Sequence, residues 1–392
     1  MDRPFINVKL LGAVGDGVTD DTQAIKRAIA SIPTTGSALR RNAGPVLYFP
    51  EGIYVISETL LIKEFFGLEI RGTGVHPSID VSDPTGGVFG PRSVLIWKGS
   101  SSDPLLKLEG VQGTTVCDLN FMGKEEVGTG SRASVLINII SVSGNGSSWN
   151  AIRNCAFRDV TVGIECGGGS GKTDSEILIE RVTFYTCDTG FKLTHPQNQN
   201  YLFTMLGANN CKCVIDADNG GGVNVQTAAL TGCGGEGADD YAFKFGGGAE
   251  SGVNDGISVL NAVRYESCPK LIRVAGYVRV TCDGFNQSAT APPTTGSPLI
   301  KVSNGALVFR NSRWQYAAPF IMEFGTPPTG AWCTVSYDRC QFPFEPEDTT
   351  PPVFPVTFVI SNPAATRCAY SFFRCDGLEN KPLPDAKTSG AW

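Results

Sequence analysis

Histidine is almost missing: His76 and His195 are the only two in 392 residues. Neither stands in a local pattern with serine or cysteine, so Ser-His-Asp or Cys-His chemistry has no support in the sequence. His195, in "LTHPQNQN", reads as an ordinary loop residue. No stretch of about 18 apolar residues occurs, so no membrane-spanning helix is expected. The opening "MDRPFINVKL" lacks the apolar core of a secretory signal. A basic excess is missing too. With 32 Lys and Arg against 38 Asp and Glu the formal charge is −6, which argues against a nucleic-acid partner.

What is present is a large apolar fraction, 41%, with 47 Gly and 24 Pro scattered singly between apolar runs. That punctuation suits many short strands joined by turns. Thirteen cysteines are present, none in a metal-ligand cluster; Cys211 and Cys213 form a C-x-C pair with no second pair nearby. A chain this long is not starved of core, so a disulfide framework is not expected. Buried free thiols acting as small hydrophobes are expected instead.

Helical periodicity is confined to Asp21 through about Ile32, where Ala24, Ile25, Ala28, Ile29 and Ile32 share one face and Pro33 ends the run. The rest repeats. "CAFRDVTVGI" (155–164), "VTFYTCDTGF" (182–191), "LGANNCKCVI" (206–215) and "VRYESCPKLI" (263–272) share one pattern of apolar positions. Their sixth residues are Val160, Cys187, Cys211 and Cys268; weaker copies place Cys233 and Ala317 there. The steps are 27, 24, 22, 35 and 49 residues, the last close to two steps. Such a period, with strands and no intervening helices, predicts a solenoid of parallel β-coils. The sixth-position residues then form an interior row about 4.8 Å apart.

Alternation turns positions two and four outward. Position four carries Arg158, Tyr185, Asn209, Thr231, Glu266 and Gln315; position two carries Ala156, Thr183, Gly207, Ala229, Arg264 and Arg313. This polar lane is suited to reading the hydroxyls and carboxylates of an extended sugar chain. Arg158, Tyr185, Asn209, Arg313 and Gln315 are its candidate substrate-binding residues.

The first 125 residues carry "GAVGDGVTDDTQAI", "GPVLYFPEGIYVIS", "LEIRGTG" and "TTVCDLNFMG" in that order. This series resembles the N-terminal signature of the pectate-lyase-like superfamily, whose members include polygalacturonases, exo-β-1,3-glucanases and phage tailspike depolymerases. The resemblance implies an all-β, right-handed parallel β-helix with a short N-terminal capping α-helix. The expected layout is one domain over 1–392: a capping segment to 45, coils over 46–375 and a tail over 376–392. It also implies a polysaccharide substrate, cleaved by hydrolysis or β-elimination. Its tailspike branch implies a homotrimer in a virion tail or extracellular setting.

Within the opening motif, Asp20 and Gln23 have the spacing of a capping box, which makes the adjacent acids Asp20 and Asp21 structural rather than catalytic. "GGGSGKTD" (167–174) has Cys166 where a phosphate loop needs glycine, and the "SEILIE" that follows is β-rich; it reads as a turn. The Gly-His-Gly and Arg-Ile-Lys segments of the polygalacturonase-like members are absent.

Chemistry then falls to carboxylates with Arg, Lys or Tyr. A glycosidase needs two acids; a polyuronate lyase needs a base and a group that neutralises the uronate. Arg264 and Glu266 share one coil face, and the insertion behind the 35-residue step brings Glu236, Asp239 and Asp240, followed by Glu250 and Asp255. Glu236, Asp239, Asp240, Arg264 and Glu266 are the candidate catalytic residues, with Asp174 and Glu176 a weaker cluster. No cofactor is required. Calcium would accompany a lyase, although no ligand set of readable spacing occurs. The rival expectation is a non-catalytic carbohydrate-binding or structural β-helix.

Overall fold

The computed structural model describes residues 4–33, 44–75, 92–99, 103–123, 132–142, 146–167, 174–195, 199–235, 237–246, 256–287, 299–314, 320–324, 333–341, 356–360 and 368–375. They form 29 strands, one α-helix and one short 3-10 turn. Pairing runs parallel and climbs steadily through the chain, so the architecture is an all-β solenoid with a short N-terminal helix. Contacts divide it into two compact units, Met1–Gly207 and Ala208–Trp392.

In the first unit, strand Gly52–Ile56 pairs with Ser93–Trp97, then come Thr115–Met122, Ala151–Arg158 and Ile177–Tyr185 in turn. The register places Tyr54, Leu95, Phe121, Phe157 and Phe184 in one inward row. Phe121 and Phe157 stack with centroids 5.2 Å apart, and Phe157 and Phe184 follow at 5.4 Å. Burying each ring contributes roughly 1.5–3 kcal/mol, so the row is the first unit's main support. Coils begin before residue 46, because Phe5–Asn7 pairs with Val46–Tyr48 and Asp16–Asp20 with Gly52–Ile56.

In the second unit, Gly256–Asn261, Ile272–Asp283, Ile300–Arg310, Cys333–Asp338 and Cys368–Phe373 stack in the same way. Phe309 and Tyr337 are stacked neighbours in register, 5.4 Å apart. The 49-residue step does hold an extra coil, since Arg264 is in register with Asn286 and Asn286 with Arg313.

Single left-handed residues turn the coils. Asn154, Asp159, Thr186, Asn210, Ser267, Asn311, Arg339 and Arg374 all have φ between 48° and 53°. Each is followed by an inward side chain, and this explains the cysteines. Across the corner the thiol donates to the carbonyl two residues back: Cys155 to Arg153, Cys187 to Tyr185, Cys268 to Glu266, Cys340 to Asp338. Ser312 does the same with its hydroxyl, 2.8 Å from the Arg310 carbonyl. The thiols are therefore small hydrophobes that also donate weakly, rather than groups needing no partner. Eleven described cysteines are free. Cys333, in register with Cys368, departs from the expectation of free thiols because it is disulfide-bonded. Ala317 and the tail over 376–392 lie outside the described residues.

The helix runs Thr22–Ala30 and buries Ala24, Ile25 and Ala28. The capping box is not formed. Asp20 does accept from the Thr22 N–H at 2.9 Å, but its other oxygen takes the Ser57 hydroxyl, and Gln23 reaches Glu58 instead of turning back. Asp21, the residue at the cap, accepts from the Val14 and Gly15 N–H groups and pins the preceding loop. Asp16 closes its own turn through Val18 and Thr19, which holds its carboxyl below the usual range. All three acids of the opening motif serve local structure.

One outward position is not outward. Ala156 is fully buried with Ile53, Val94, Ile96 and Met122, against which Val75 packs. In the first coils the second face of this sheet is an apolar cluster, and the polar lane starts after it.

Candidate functional site

Arg158 and Tyr185 are register neighbours on adjacent strands of the first unit. Arg158 pairs with Asp159 at 2.9 Å, and burial raises the Tyr185 hydroxyl above its usual pKa although the Arg158 charge opposes this. In the second unit, Thr231 is in register with Glu266 and Ala229 with Arg264, and the lane continues through Asn286 and Arg313 to Gln341. The Asn210 N–H donates to the Thr231 carbonyl, which puts Asn209 on the coil before Thr231. Arg264 and Glu266 therefore share one face with Arg313. Glu236, Glu250, Asp255 and Gln315 lie outside the described residues, as does His76. Asp240 accepts from the Gly237 N–H at 3.0 Å and closes a turn. Asp174 is buried, accepts from the Ser147 N–H, and has a pKa raised by burial to about 7.

Asp239 belongs to a different face. Strands Cys213–Ala217, Phe243–Phe245 and Ile272–Asp283 bring Asp216, Lys244 and Arg273 into one row, directly in register. Lys244 Nζ lies 2.8 Å from Asp216, 3.5 Å from Asp239 and 3.8 Å from Asp218. Arg273 Nε lies 3.1 Å from Asp239, and its Nη1 donates to Asp218. Three carboxylates thus surround one ammonium and one guanidinium. Burial raises the Asp218 pKa and the nearby Asp216 charge adds to this, while Arg273 opposes it. Asp218 Oδ1 is buried with no hydrogen-bond partner among the described residues, while its Oδ2 accepts from Arg273. Asp239, 57% exposed, is the member open to solvent. The cluster therefore sets a buried carboxyl with a raised pKa beside a solvent-exposed one, the kind of contrast that general acid–base catalysis uses.

Only Asp239 of this cluster is among the residues predicted from sequence. The missed signal lies in short triplets where one charge sits between two inward apolar residues. "IDA" (215–217), "FKF" (243–245) and "IRV" (272–274) each place one charge on the same face. The repeat pattern starts from the neighbouring strand of each coil and so puts the lane on the other face.

The same triplets occur in the first unit. Leu61, Lys107, Asn138, Glu165 and Lys192 stand in register on successive strands. Beside them, along helix Thr22–Ala30, lies a groove of about 820 Å³ lined by Lys26, Thr59, Leu61, Asp103, Asn138 and Glu165, among others. Asn138 Nδ2 donates to Glu165 Oε1 at 3.1 Å. Burial raises the Glu165 pKa, with Lys192, 4.0 Å away, opposing. Lys107 is paired with Glu109 and Lys26 with Glu58, so the groove presents balanced charge beside apolar side chains. Its size and mixed lining are those of a small-molecule or saccharide site.

No group of three or more His, Cys, Asp or Glu with metal-binding geometry occurs among the described residues, and none of their helices is long and apolar enough to cross a membrane.

Residues 5–90 match the family described as Rhamnogalacturonase A/epimerase, pectate lyase-like. Over 164 residues, 39% of this chain, the sequence is 33% identical to the plasmin and fibronectin-binding protein A of Streptococcus pneumoniae, of which it covers 21%. It is 24% identical over 248 residues, 56% of the chain, to a probable glucan endo-1,3-beta-glucosidase of Arthroderma benhamiae, of which it covers 26%. The chain thus spans about a fifth to a quarter of these relatives' length. Among solved structures, a DFA-IIIase from Arthrobacter chlorophenolicus A6 superposes with a TM-score of 0.62 at 14% identity, covering 94% of this chain and 95% of that one. The gp42 tailspike of Acinetobacter phage vb_AbaP_AS12 superposes at 0.57 with 11% identity, covering 100% of this chain and 67% of that one. The chain has a β-helix fold, shared with that tailspike and that DFA-IIIase, and its residues 5–90 are pectate-lyase-like in sequence.

Proposed function

We propose that the protein binds an extended polysaccharide and hydrolyses its glycosidic bonds at the Asp216–Asp218–Asp239 cluster. The observation that carries this reading is the contrast between buried Asp218, with its raised pKa, and exposed Asp239, both gathered around Lys244 and Arg273. Asp218, whose pKa burial raises, gives a proton to the departing glycosidic oxygen. Asp239, exposed to solvent, directs water or attacks the sugar carbon, and Asp216 holds Lys244 in place. The two cations also suit a glycan carrying carboxylates. A tailspike and a probable glucosidase among the similar proteins support a glycan substrate and an extracellular or virion-borne setting. Arg264, Glu266, Arg313, Arg158 and Tyr185 supply hydrogen bonds along the other polar faces.

The test is a reducing-end assay on a panel of neutral and acidic polysaccharides, with the ultraviolet absorbance of unsaturated uronates followed in parallel. Hydrolysis gives new reducing ends without that absorbance, and Asp218→Asn abolishes them. Absorbance appearing with the reducing ends would replace hydrolysis by β-elimination.

The groove beside helix Thr22–Ala30 favours a second reading, a protein that holds a saccharide without cutting it. Saccharide binding with no new reducing ends on any substrate would select it.

A further inference from the structure

Strands Cys333–Asp338 and Cys368–Phe373 are paired in register from Cys333 opposite Cys368 to Asp338 opposite Phe373. Each then turns through one left-handed residue, Arg339 at φ 52° and Arg374 at φ 50°. The corners therefore superpose, and the residues that follow them, Cys340 and Cys375, are stacked neighbours. Adjacent strands lie about 4.8 Å apart, inside the Cα separation that a disulfide accepts. The same two coils already hold a disulfide-bonded cysteine, Cys333, at the other end of their shared register.

From this geometry we infer that Cys340 and Cys375 form an oxidisable pair, a site where a small-molecule disulfide installs a second covalent link between the two coils. Accessibility sets the pair apart. Cys211, Cys233 and Cys268 are fully buried, whereas Cys375 is only half-buried and has Cys340 behind it. The stacked Cys340 thiol donates towards Cys375 and lowers the Cys375 pKa to about 6, while Cys340 itself is pushed up. Cys117 is half-buried as well, but burial and the Asp118 charge push its thiol up to about 12. Cys375 is therefore the more readily ionised of these two half-buried thiols.

The chemistry balances with a disulfide of the oxidised-glutathione class as oxidant. The Cys375 thiolate attacks one glutathione sulfur, forming a mixed disulfide and releasing one glutathione thiolate. Cys340 loses its proton to water and attacks the Cys375 sulfur, releasing the second glutathione. Two protein thiols are oxidised and one small disulfide is reduced to two thiols.

The test uses the full chain, incubated folded with oxidised glutathione, blocked with N-ethylmaleimide, digested and mapped by mass spectrometry. The expected product is a cross-linked peptide joining Cys340 to Cys375, with Cys117 left alkylated. Before oxidation, Cys375 should alkylate on the order of tenfold faster than Cys117. In Cys340→Ser a glutathione adduct should persist on Cys375. Serine is tolerated at this corner position, as Ser312 shows with its bond to the Arg310 carbonyl. A stable glutathione adduct on Cys375 in the unsubstituted chain would overturn the inference. So would a cross-link from Cys375 to another cysteine, or no reaction at Cys375.

Discussion

Lys244 and Asp216 face each other across neighbouring strands, in register and 2.8 Å apart from Nζ to Oδ2. Burial is the largest single influence and would drive the ammonium towards neutrality, but the Asp216 hydrogen bond and the Cys213, Asp216 and Asp218 charges together outweigh it and raise the pKa of Lys244. Lys244→Met would leave the buried Asp216 without its cation, with Arg273 still holding Asp218. Removing one partner of such a pair costs about 3–5 kcal/mol. Urea unfolding followed by circular dichroism should show that loss. A midpoint unchanged from the parent would show that the cluster is solvated rather than structural.

Asp218→Asn and Asp239→Asn should separate the two catalytic roles. Loss of a positioned acid or base lowers kcat by about 10²–10⁴. The acid must be protonated, so activity should fall as pH rises through the raised Asp218 pKa. Asp218→Asn should remove the alkaline limb while leaving saccharide affinity within about twofold. If both variants keep full activity, the cluster is not the catalytic site.

Asp174 should make the fold less stable towards high pH. Its folded pKa, about 7, is above the ordinary 3.8, so the native state holds this proton more tightly than the unfolded chain. The resulting stability is complete below the ordinary value and is lost as pH rises through about 7. Asp174→Asn retains an oxygen to accept from Ser147 and carries no charge. Its melting temperature should therefore depend less on pH between 5 and 8 than that of the parent, with the gap widening in its favour on the alkaline side. Parallel melting curves for the two proteins would refute the assignment.

Gly15 should resist substitution. Its φ is +71°, and a Cβ there would lie 3.0 Å from the Tyr54 ring. Gly15→Ala should cost about 1–2 kcal/mol for the left-handed backbone alone, before the ring is displaced. A melting temperature equal to the parent's would mean that the loop relaxes around the methyl group.

The solenoid was legible because its inward rows repeat: Phe157 and Phe184, or Cys187 and the cysteines after it, recur at coil spacing. The candidate site was less legible, for a geometric reason. Each coil has several outward faces, and the visible repeat marks the strand before a corner, where Arg158, Tyr185, Arg264 and Glu266 lie. Asp216, Lys244 and Arg273 stand after the corner, one to a strand, with nothing in sequence to show that they meet. Asp239 was visible as an acid in an insertion; its partners were not. Long-range hydrogen bonds decided against the capping box, because Ser57 and Glu58, far along the chain, capture Asp20 and Gln23.

The left-handed corners have a consequence for how such a chain changes over generations. Every corner passes the backbone on in the same direction, and every row asks only for a side chain of similar bulk. A whole coil can therefore be gained or lost with its neighbours still matched, whereas the gain of one residue inside a strand would throw every row above it onto the wrong face. The 35-residue step before Cys268, which leaves Ala229 still facing Arg264, is the kind of variation this construction permits. Length is free to vary between corners, and almost nowhere else.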